Sequence, residues 1–344
     1  MSRVVITGSA GSVGARVARR LVDHPDVTSL AGIDVNRLEQ PGAIESHVAD
    51  VATDDLEPLF EGADVVVHLA SRFTPERDGT ELGRIDTMTN RRTLDAASAA
   101  GARRLIVLSS AMVYGAWADN PVPLTESAPL RANPSFSFAQ QKLELERLAE
   151  SWRADHDGAR VAILRPTSAL AADAASWVAR TMRASAGLAS DHEPPLQFLH
   201  LDDLADAVVT ATTSHLDGAY NVAPDGWVEG SEARQLVGRA PRVPLPEFAA
   251  ARVADASWRN RLAPTPPGIV PYTTHPWVIA NDRLRSAGWE PTHSNEEAFV
   301  EGRPPRPWAM VSSKQRQSLA IGGASGAVVA AVGAGAWMAR RLRG

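Results

Sequence analysis

Residues 3–14 read Arg3-Val4-Val5-Ile6-Thr7-Gly8-Ser9-Ala10-Gly11-Ser12-Val13-Gly14, a short apolar run that breaks into three glycines spaced three apart. Val4, Val5 and Ile6 predict a buried strand. Gly8, Gly11 and Gly14 predict a sharp turn that brings backbone close to a bound anion and packs the next helix tightly on the sheet. That helix is announced by Val13, Val17 and Leu21, four residues apart on one face. Its first N–H groups, with the helix dipole behind them, would point at a pyrophosphate. Roughly 20 residues beyond Gly14 a second apolar run, Ser29 to Asp34, ends in an acid placed to accept hydrogen bonds from an adenosine ribose. Together these features read as a dinucleotide-binding turn contacting its ligand through Gly8, Gly11, Ser12, Val13, Gly14 and Asp34.

The composition narrows the function classes. With 344 residues the chain can bury a large core, enough for a Rossmann-type domain and a smaller companion. A net charge of -5 leaves no excess of cations to neutralise phosphates and argues against a general nucleic-acid binder. The absence of Cys excludes disulfides, thiolate metal sites and a cysteine nucleophile, and it fits a cytoplasmic protein. No His and carboxylate spacing points to a metal. The chain runs directly into its first strand with no signal peptide ahead of it. Near the other end, residues Ser318 to Ala339 carry no charge over 22 positions and are flanked by Lys314, Arg316, Arg340, Arg341 and Arg343. That length predicts a C-terminal transmembrane helix, although eight Ala and five Gly give it little hydrophobic transfer energy, which leaves a small-residue surface tail as the alternative.

Strand and helix patterns alternate through the first half, which predicts a doubly wound parallel sheet with helices on both faces. Ile44 to Val51 reads as a third strand, with Asp50 and Val51 at its end where an adenine ring would lie. Ala63 to Ser71 is an apolar run ending in Leu69, Ala70 and Ser71, small enough at its tip to leave room for a cofactor. His68 within it reads as a buried core residue. A helix over 81–100 is closed by Gly101, a strand over 103–110 ends in two serines, a Pro-rich loop follows, and a helix over 137–153 leads into the strand 160–166. From Thr167 to Gly302 the texture shifts to short helices, prolines and tryptophans, read as a smaller substrate-side domain with elements crossing back to the first (residues 1–166). In it Asp202 occupies the place of a helix N-cap. Residues 303–317 read as a Pro-rich linker.

The ordered motifs TGSAGSVG, Asp34, VVVHLAS, LSSAMVYG, a Lys on the following helix, LRP and FLHLDDLADA resemble the extended short-chain dehydrogenase/reductase family, the NAD-dependent epimerase/dehydratase group, over approximately residues 1–300. The resemblance implies hydride transfer between a nicotinamide and a hydroxyl-bearing carbon, as in nucleotide-sugar epimerases, assisted by a Ser or Thr, a Tyr and a Lys. Ser110 matches the hydroxyl residue that holds the substrate oxygen, with Ser109 as the fallback. Lys142 matches the Lys that binds the nicotinamide ribose and lowers the acid-base residue's pKa, and Glu146 follows one turn on. His200, Asp202 and Asp203 resemble the motif that joins the domains. Pro166, after Arg165, matches the strand end whose following backbone meets the carboxamide.

The acid-base Tyr should stand four residues before Lys142, and that residue is Phe138. A phenyl ring keeps the shape and carries no proton; Tyr114, in the VYG motif, is the one tyrosine placed to substitute. A second departure puts Asp86 where an Asn is usual, and Thr89-Asn90 where Gly-Thr is usual. The resemblance implies NAD as cofactor, favoured over NADP because Asp34 would repel a 2′-phosphate, with Arg37 offsetting part of that repulsion. A small-molecule substrate and pairing of two copies through the 137–153 helix are further implications. Two functional readings stay open: a hydride-transferring enzyme, and a catalytically silent NAD-binding scaffold or sensor tethered to a membrane.

Overall fold

The computed structural model describes residues 1–39, 43–71, 80–174, 177–185, 194–237, 247–260 and 266–302. The linker at 303–317 and the apolar span at 318–339 lie outside the described residues. The first half alternates as its pattern predicts: β1 (Ser2–Thr7), α1 (Ser12–Leu21), β2 (Val27–Asp34), β3 (Ile44–Val48), α2 (Glu57–Phe60), β4 (Val65–His68), α3 (Thr80–Ala99), β5 (Arg104–Leu108), α4 (Ser137–Asp155) and β6 (Arg160–Pro166). A single 3-10 turn, Ala111–Tyr114, follows β5. The second half adds β7 (Ser168–Leu170), α5 (Trp177–Ser185), β8 (Phe198–His200), α6 (Leu201–Thr213), β9 (Gly218–Val222), α7 (Gly230–Val237), α8 (Glu247–Arg259), α9 (Val270–Thr274), α10 (Asp282–Ser286) and α11 (Asn295–Glu301).

Seven strands form one parallel sheet in the order β3-β2-β1-β4-β5-β6-β9. β1 sits between β2 and β4, with Val5 opposite Ala31 on one side and Val66 on the other. The chain leaves β1 in one direction to β2 and returns on its far side as β4, so a crevice opens beyond the carboxyl ends of β1 and β4, where ligands bind in such sheets. Alternate residues of β1 face opposite layers, as strand geometry requires. Val4 and Ile6 pack with Val17 and Leu21 of α1 and with Leu204 and Val208 of α6. Val5 packs with Leu94 and Ala97 of α3 and with Leu145 and Trp152 of α4. β9, inside the stretch assigned to the substrate side, crosses back and pairs with β6.

β7 and β8 make a separate two-stranded parallel unit over a third apolar cluster, in which Phe136, Phe198, Tyr272, Trp277 and Phe299 are buried. Met1–Gly302 forms one compact unit. Among the described residues no helix is long and apolar enough to cross a membrane.

Candidate functional site

The glycine turn is held by sterics that admit no side chain. Gly8 has φ +75°, and a Cβ there would stand 2.7 Å from the backbone N of Ala70; a Cβ at Gly14 would overlap the carbonyl oxygen of Gly8. Gly11 closes the turn through its N–H to Gly8 O at 3.2 Å and serves as the N-cap of α1, with no side chain capping that end. The N–H groups at the start of α1 are thereby left for an anion, and the closeness of Gly8 to Ala70 sets the floor between the two strand ends.

One compartment of about 290 Å³ is lined by Gly8, Gly11, Asp34, Asn36, Asp50, Val51, Leu69, Ala70, Ser71 and Thr89, among others. Asp34 ends β2 with both carboxylate oxygens fixed: Ala10 N–H donates to Oδ2 at 3.1 Å and Asn36 N–H to Oδ1 at 2.9 Å. Asp50 turns one oxygen back to its own loop, accepting from Ala52 N–H at 2.9 Å. Arg92 of α3 secures that loop by donating from Nε to Val51 O at 3.1 Å, a contact from 41 residues away that no local pattern announces. Arg37 is exposed beyond this rim.

A second compartment of about 510 Å³ is lined by Ser12 and Val13 of α1, by Leu69, Ser71, Ser109, Ser110, Phe138, Lys142 and Pro166, and at its outer wall by Asp173, Arg180 and Trp277. Leu69 and Ser71 line both compartments, so the two make one groove along the strand ends. Ser110 caps the 3-10 turn, its Oγ accepting from Met112 N–H at 3.2 Å, which leaves its O–H to donate. Ser109 instead gives its hydroxyl to Glu146 at 2.5 Å. Lys142 donates to Leu108 O at 2.8 Å, with the Phe138 ring centred 5.8 Å from its Nζ. Burial lowers the Lys142 pKa, against the pull of the Asp86 and Glu146 carboxylates. Ser168, also on this wall, has a buried Oγ without a hydrogen-bond partner.

The structure corrects the reading of Tyr114 as a proton carrier. Tyr114 is fully buried, donates to Asn221 Oδ1 at 2.8 Å and accepts from Arg165 Nη1 at 2.8 Å. Burial pushes its hydroxyl up to about 12, so it holds its proton more firmly than a free tyrosine and lies behind the groove wall. Arg165 in turn binds Glu146 through Nε at 3.0 Å and Nη2 at 2.7 Å. The chain Ser109–Glu146–Arg165–Tyr114–Asn221 is a buried polar strut joining β5, α4, β6 and β9, and it holds the helix that carries Lys142.

His68 is the satisfied core residue its apolar strand predicts. Nε2–H donates to Asn90 Oδ1 at 2.9 Å, and Thr7 Oγ1 bonds Nδ1 at 2.7 Å. Complete burial lowers its pKa to about 4, leaving it neutral. Asn90 and Thr89, the residues that depart from the family pattern, are thus absorbed into the floor of the groove, both buried.

Asp202 is a second correction. The N-cap of α6 is His200, whose Nδ1 accepts from Asp202 N–H at 3.2 Å, because the extended backbone of β8 runs up to that residue. Asp202 lies in the first turn and binds Arg16 at 3.2 Å and Arg20 at 3.0 Å on α1. Asp203 is buried and accepts from the N–H groups of Thr292 and His293, each at 3.1 Å. These contacts tie α6 to α1 and to the segment before α11.

A dinucleotide fits this groove on the chain's own terms: a turn that glycine alone can make, free N–H groups at a helix start, a fixed carboxylate at one end and a Ser and Lys at the other. A family model described as the NAD-dependent epimerase/dehydratase family matches residues 4–223. A UDP-glucose 4-epimerase of Azospirillum brasilense is 28% identical over 332 residues, covering 87% of this chain and 90% of that protein. An uncharacterised protein of Mycobacterium tuberculosis is 24% identical over 308 residues, covering 86% of this chain and 82% of its own. The solved structure of MoeE5 with UDP-glucose and NAD superposes with a TM-score of 0.66 at 19% identity, covering 87% of this chain and 97% of that one. With the match spanning the whole nucleotide half and the seven-stranded sheet beneath it, the chain belongs to the NAD-dependent epimerase/dehydratase family.

Proposed function

We propose that this protein binds NAD along the groove and uses it to exchange a hydride with a hydroxyl-bearing carbon of a nucleotide-sugar substrate. The observation that carries the reading is the continuity of the groove from Asp34 to Ser110 and Lys142, past a turn that only glycine can form. The names of the epimerase relative and of the MoeE5 complex support the substrate class. NAD, when bound, supplies the hydride acceptor and donor. The start of α1, at Ser12, Val13 and Gly14, holds the pyrophosphate, Asp34 the adenosine ribose, and Asp50 and Val51 the adenine edge. Leu69, Ala70 and Ser71 form the floor, Lys142 meets the second ribose and Pro166 flanks the carboxamide. Ser110 orients the substrate oxygen, and Phe138 supplies an apolar wall where the family has its proton carrier.

Asp34 sets the cofactor preference. Its carboxylate is pinned by two backbone N–H groups at the position a 2′-phosphate would take, so NADP binds at least about tenfold more weakly than NAD, a difference of about 1.4 kcal/mol. Calorimetric titration of the full-length protein with NAD⁺, NADH, NADP⁺ and NADPH tests this, with Asp34→Ala as control. Absence of dinucleotide binding overturns the proposal.

Phe138 favours a second reading, a catalytically silent NAD-binding scaffold held at a membrane by residues 318–339. Activity in the native protein that disappears in Lys142→Ala rejects it; an inert native protein that gains activity as Phe138→Tyr supports it. Fractionation of cells expressing the full chain tests the anchor, and a fully soluble protein removes it. Pairing of two copies through α4, adjoined by α3 with its exposed Met88, belongs to the same proposal and is read by analytical ultracentrifugation.

A further inference from the structure

The larger compartment changes character within two residues of Ser110. Met112 lines it and is fixed from both sides: its N–H donates to Ser110 Oγ at 3.2 Å and its carbonyl accepts from Tyr272 Oη at 2.7 Å. Phe138 lines it one helical turn before Lys142, the ring centred 5.8 Å from the lysine Nζ. Val178 of α5 and Trp277, both buried, belong to the same lining. The polar atom of Trp277, Nε1, is spent on Tyr272 O at 3.0 Å, so its ring offers the compartment only hydrocarbon. Met112, Phe138, Val178 and Trp277 thus make an apolar wall that starts beside Ser110 and Lys142.

The wall is stiff. Between ring centres Phe138 lies 5.9 Å from Phe136, Phe136 lies 5.3 Å from Tyr272, and Tyr272 lies 5.6 Å from Trp277; the two middle rings are fully buried. This ladder ties one lining aromatic to the other, and neither turns aside without displacing close-packed neighbours. Such a wall selects by what is pressed against it. A hydroxyl there loses its hydrogen bonds to water and gains nothing stronger than a thioether from these four side chains, whereas a methyl fills the same space and gains burial. Position 138, where the family pattern has a hydroxyl and this chain has hydrocarbon, is part of the wall, so the sequence departure and the wall's polarity share one explanation.

We infer that Met112, Phe138, Val178 and Trp277 are the specificity determinant of the compartment, and that the sugar they select is a 6-deoxyhexose whose methyl group docks on them while Ser110 holds a ring hydroxyl. This deepens the nucleotide-sugar reading above and rests on it. Carbon 6 is singled out by the chemistry of a hexose. Taking the hydroxyl from a ring carbon leaves a CH₂ that retreats from the wall. Taking it from carbon 6 leaves a methyl that still projects and fills the space. That methyl stands on the carbon next to ring carbon 4, so docking it on a wall that begins beside Ser110 brings the carbon 4 hydroxyl toward the same serine.

The test compares two sugar nucleotides that differ by one oxygen and reads binding, not turnover. Full-length protein with NADH added is titrated by calorimetry with UDP-glucose and with UDP-6-deoxyglucose. The deoxy compound is expected to bind about 10- to 100-fold more tightly. Val178→Thr exchanges a methyl for a hydroxyl at nearly constant volume, gives the carbon 6 hydroxyl a partner, and is expected to cut the preference about tenfold. Phe138→Tyr is expected to cut it as well, by placing a hydroxyl on the wall. The two substitutions lie on different helices, so misfolding of one variant leaves the other to decide. Equal affinity of the native protein for the two compounds, or a preference unmoved by the substitutions, overturns the inference. Binding of neither compound instead rejects the nucleotide-sugar reading itself.

Discussion

Phe138 and Lys142 share one face of α4, one turn apart, and both line the larger compartment beside Ser110. A hydroxyl there would lie beside an ammonium that favours its ionisation. Phe138→Tyr is expected to raise the rate at which a nucleotide-sugar probe, UDP-glucose, reduces added NAD⁺ by about 10², the lower end of what a positioned acid-base group contributes. The measurement is the growth of NADH absorbance under single-turnover conditions. His68 gives a prediction of a different kind. Its folded pKa of about 4 lies below the value of 6.5 it has without the fold, so between these values the unfolded chain binds more protons. Stability contributed by His68 is present above pH 6.5 and is lost as pH falls toward 4, up to about 3 kcal/mol. Urea unfolding across this range should show the loss, and His68→Gln should flatten it.

At the scale of elements, the turn between β1 and α1 is the tightest joint in the protein. A Cβ on Gly14 would overlap Gly8 O, and the neighbouring contact is backbone, which cannot swing aside. Gly14→Ala is expected to displace the start of α1, to cost about 1–3 kcal/mol and to abolish NAD binding. Thermal unfolding and calorimetry read the two effects separately. This joint was legible from residues 3–14 because its cause is local: glycines at fixed spacing act through excluded volume within a few residues. The roles of the VYG motif and of the start of α6 were not legible. Tyr114 is buried by Asn221 and Arg165, and Asp202 is engaged by Arg16 and Arg20, partners that arrive from 51 to 186 residues away. A helix N-cap and a first-turn acid also differ by only two positions, a shift that the exact end of β8 controls.

Across the whole molecule, the groove depends on second-half segments closing against the first-half sheet. Asp203 is the clearest such tie, with Thr292 and His293 both donating backbone N–H groups to a carboxylate that is fully buried. Asp203→Ala is expected to destabilise the protein by about 2 kcal/mol and to loosen the segment before α11, seen as faster amide exchange at residues 292–299. The sequence by itself determined the parallel α/β architecture and the glycine turn, because strand and helix periodicity and glycine sterics are short-range properties; Ser110, Lys142 and the missing hydroxyl at 138 were read from the family resemblance of the ordered motifs. Only the tertiary structure decided that Tyr114 is a strut instead of a donor and that Glu146 and Arg165 brace the lysine helix from behind. Those assignments rest on burial and on charges meeting across separate elements, quantities that arise only when distant stretches of chain pack together.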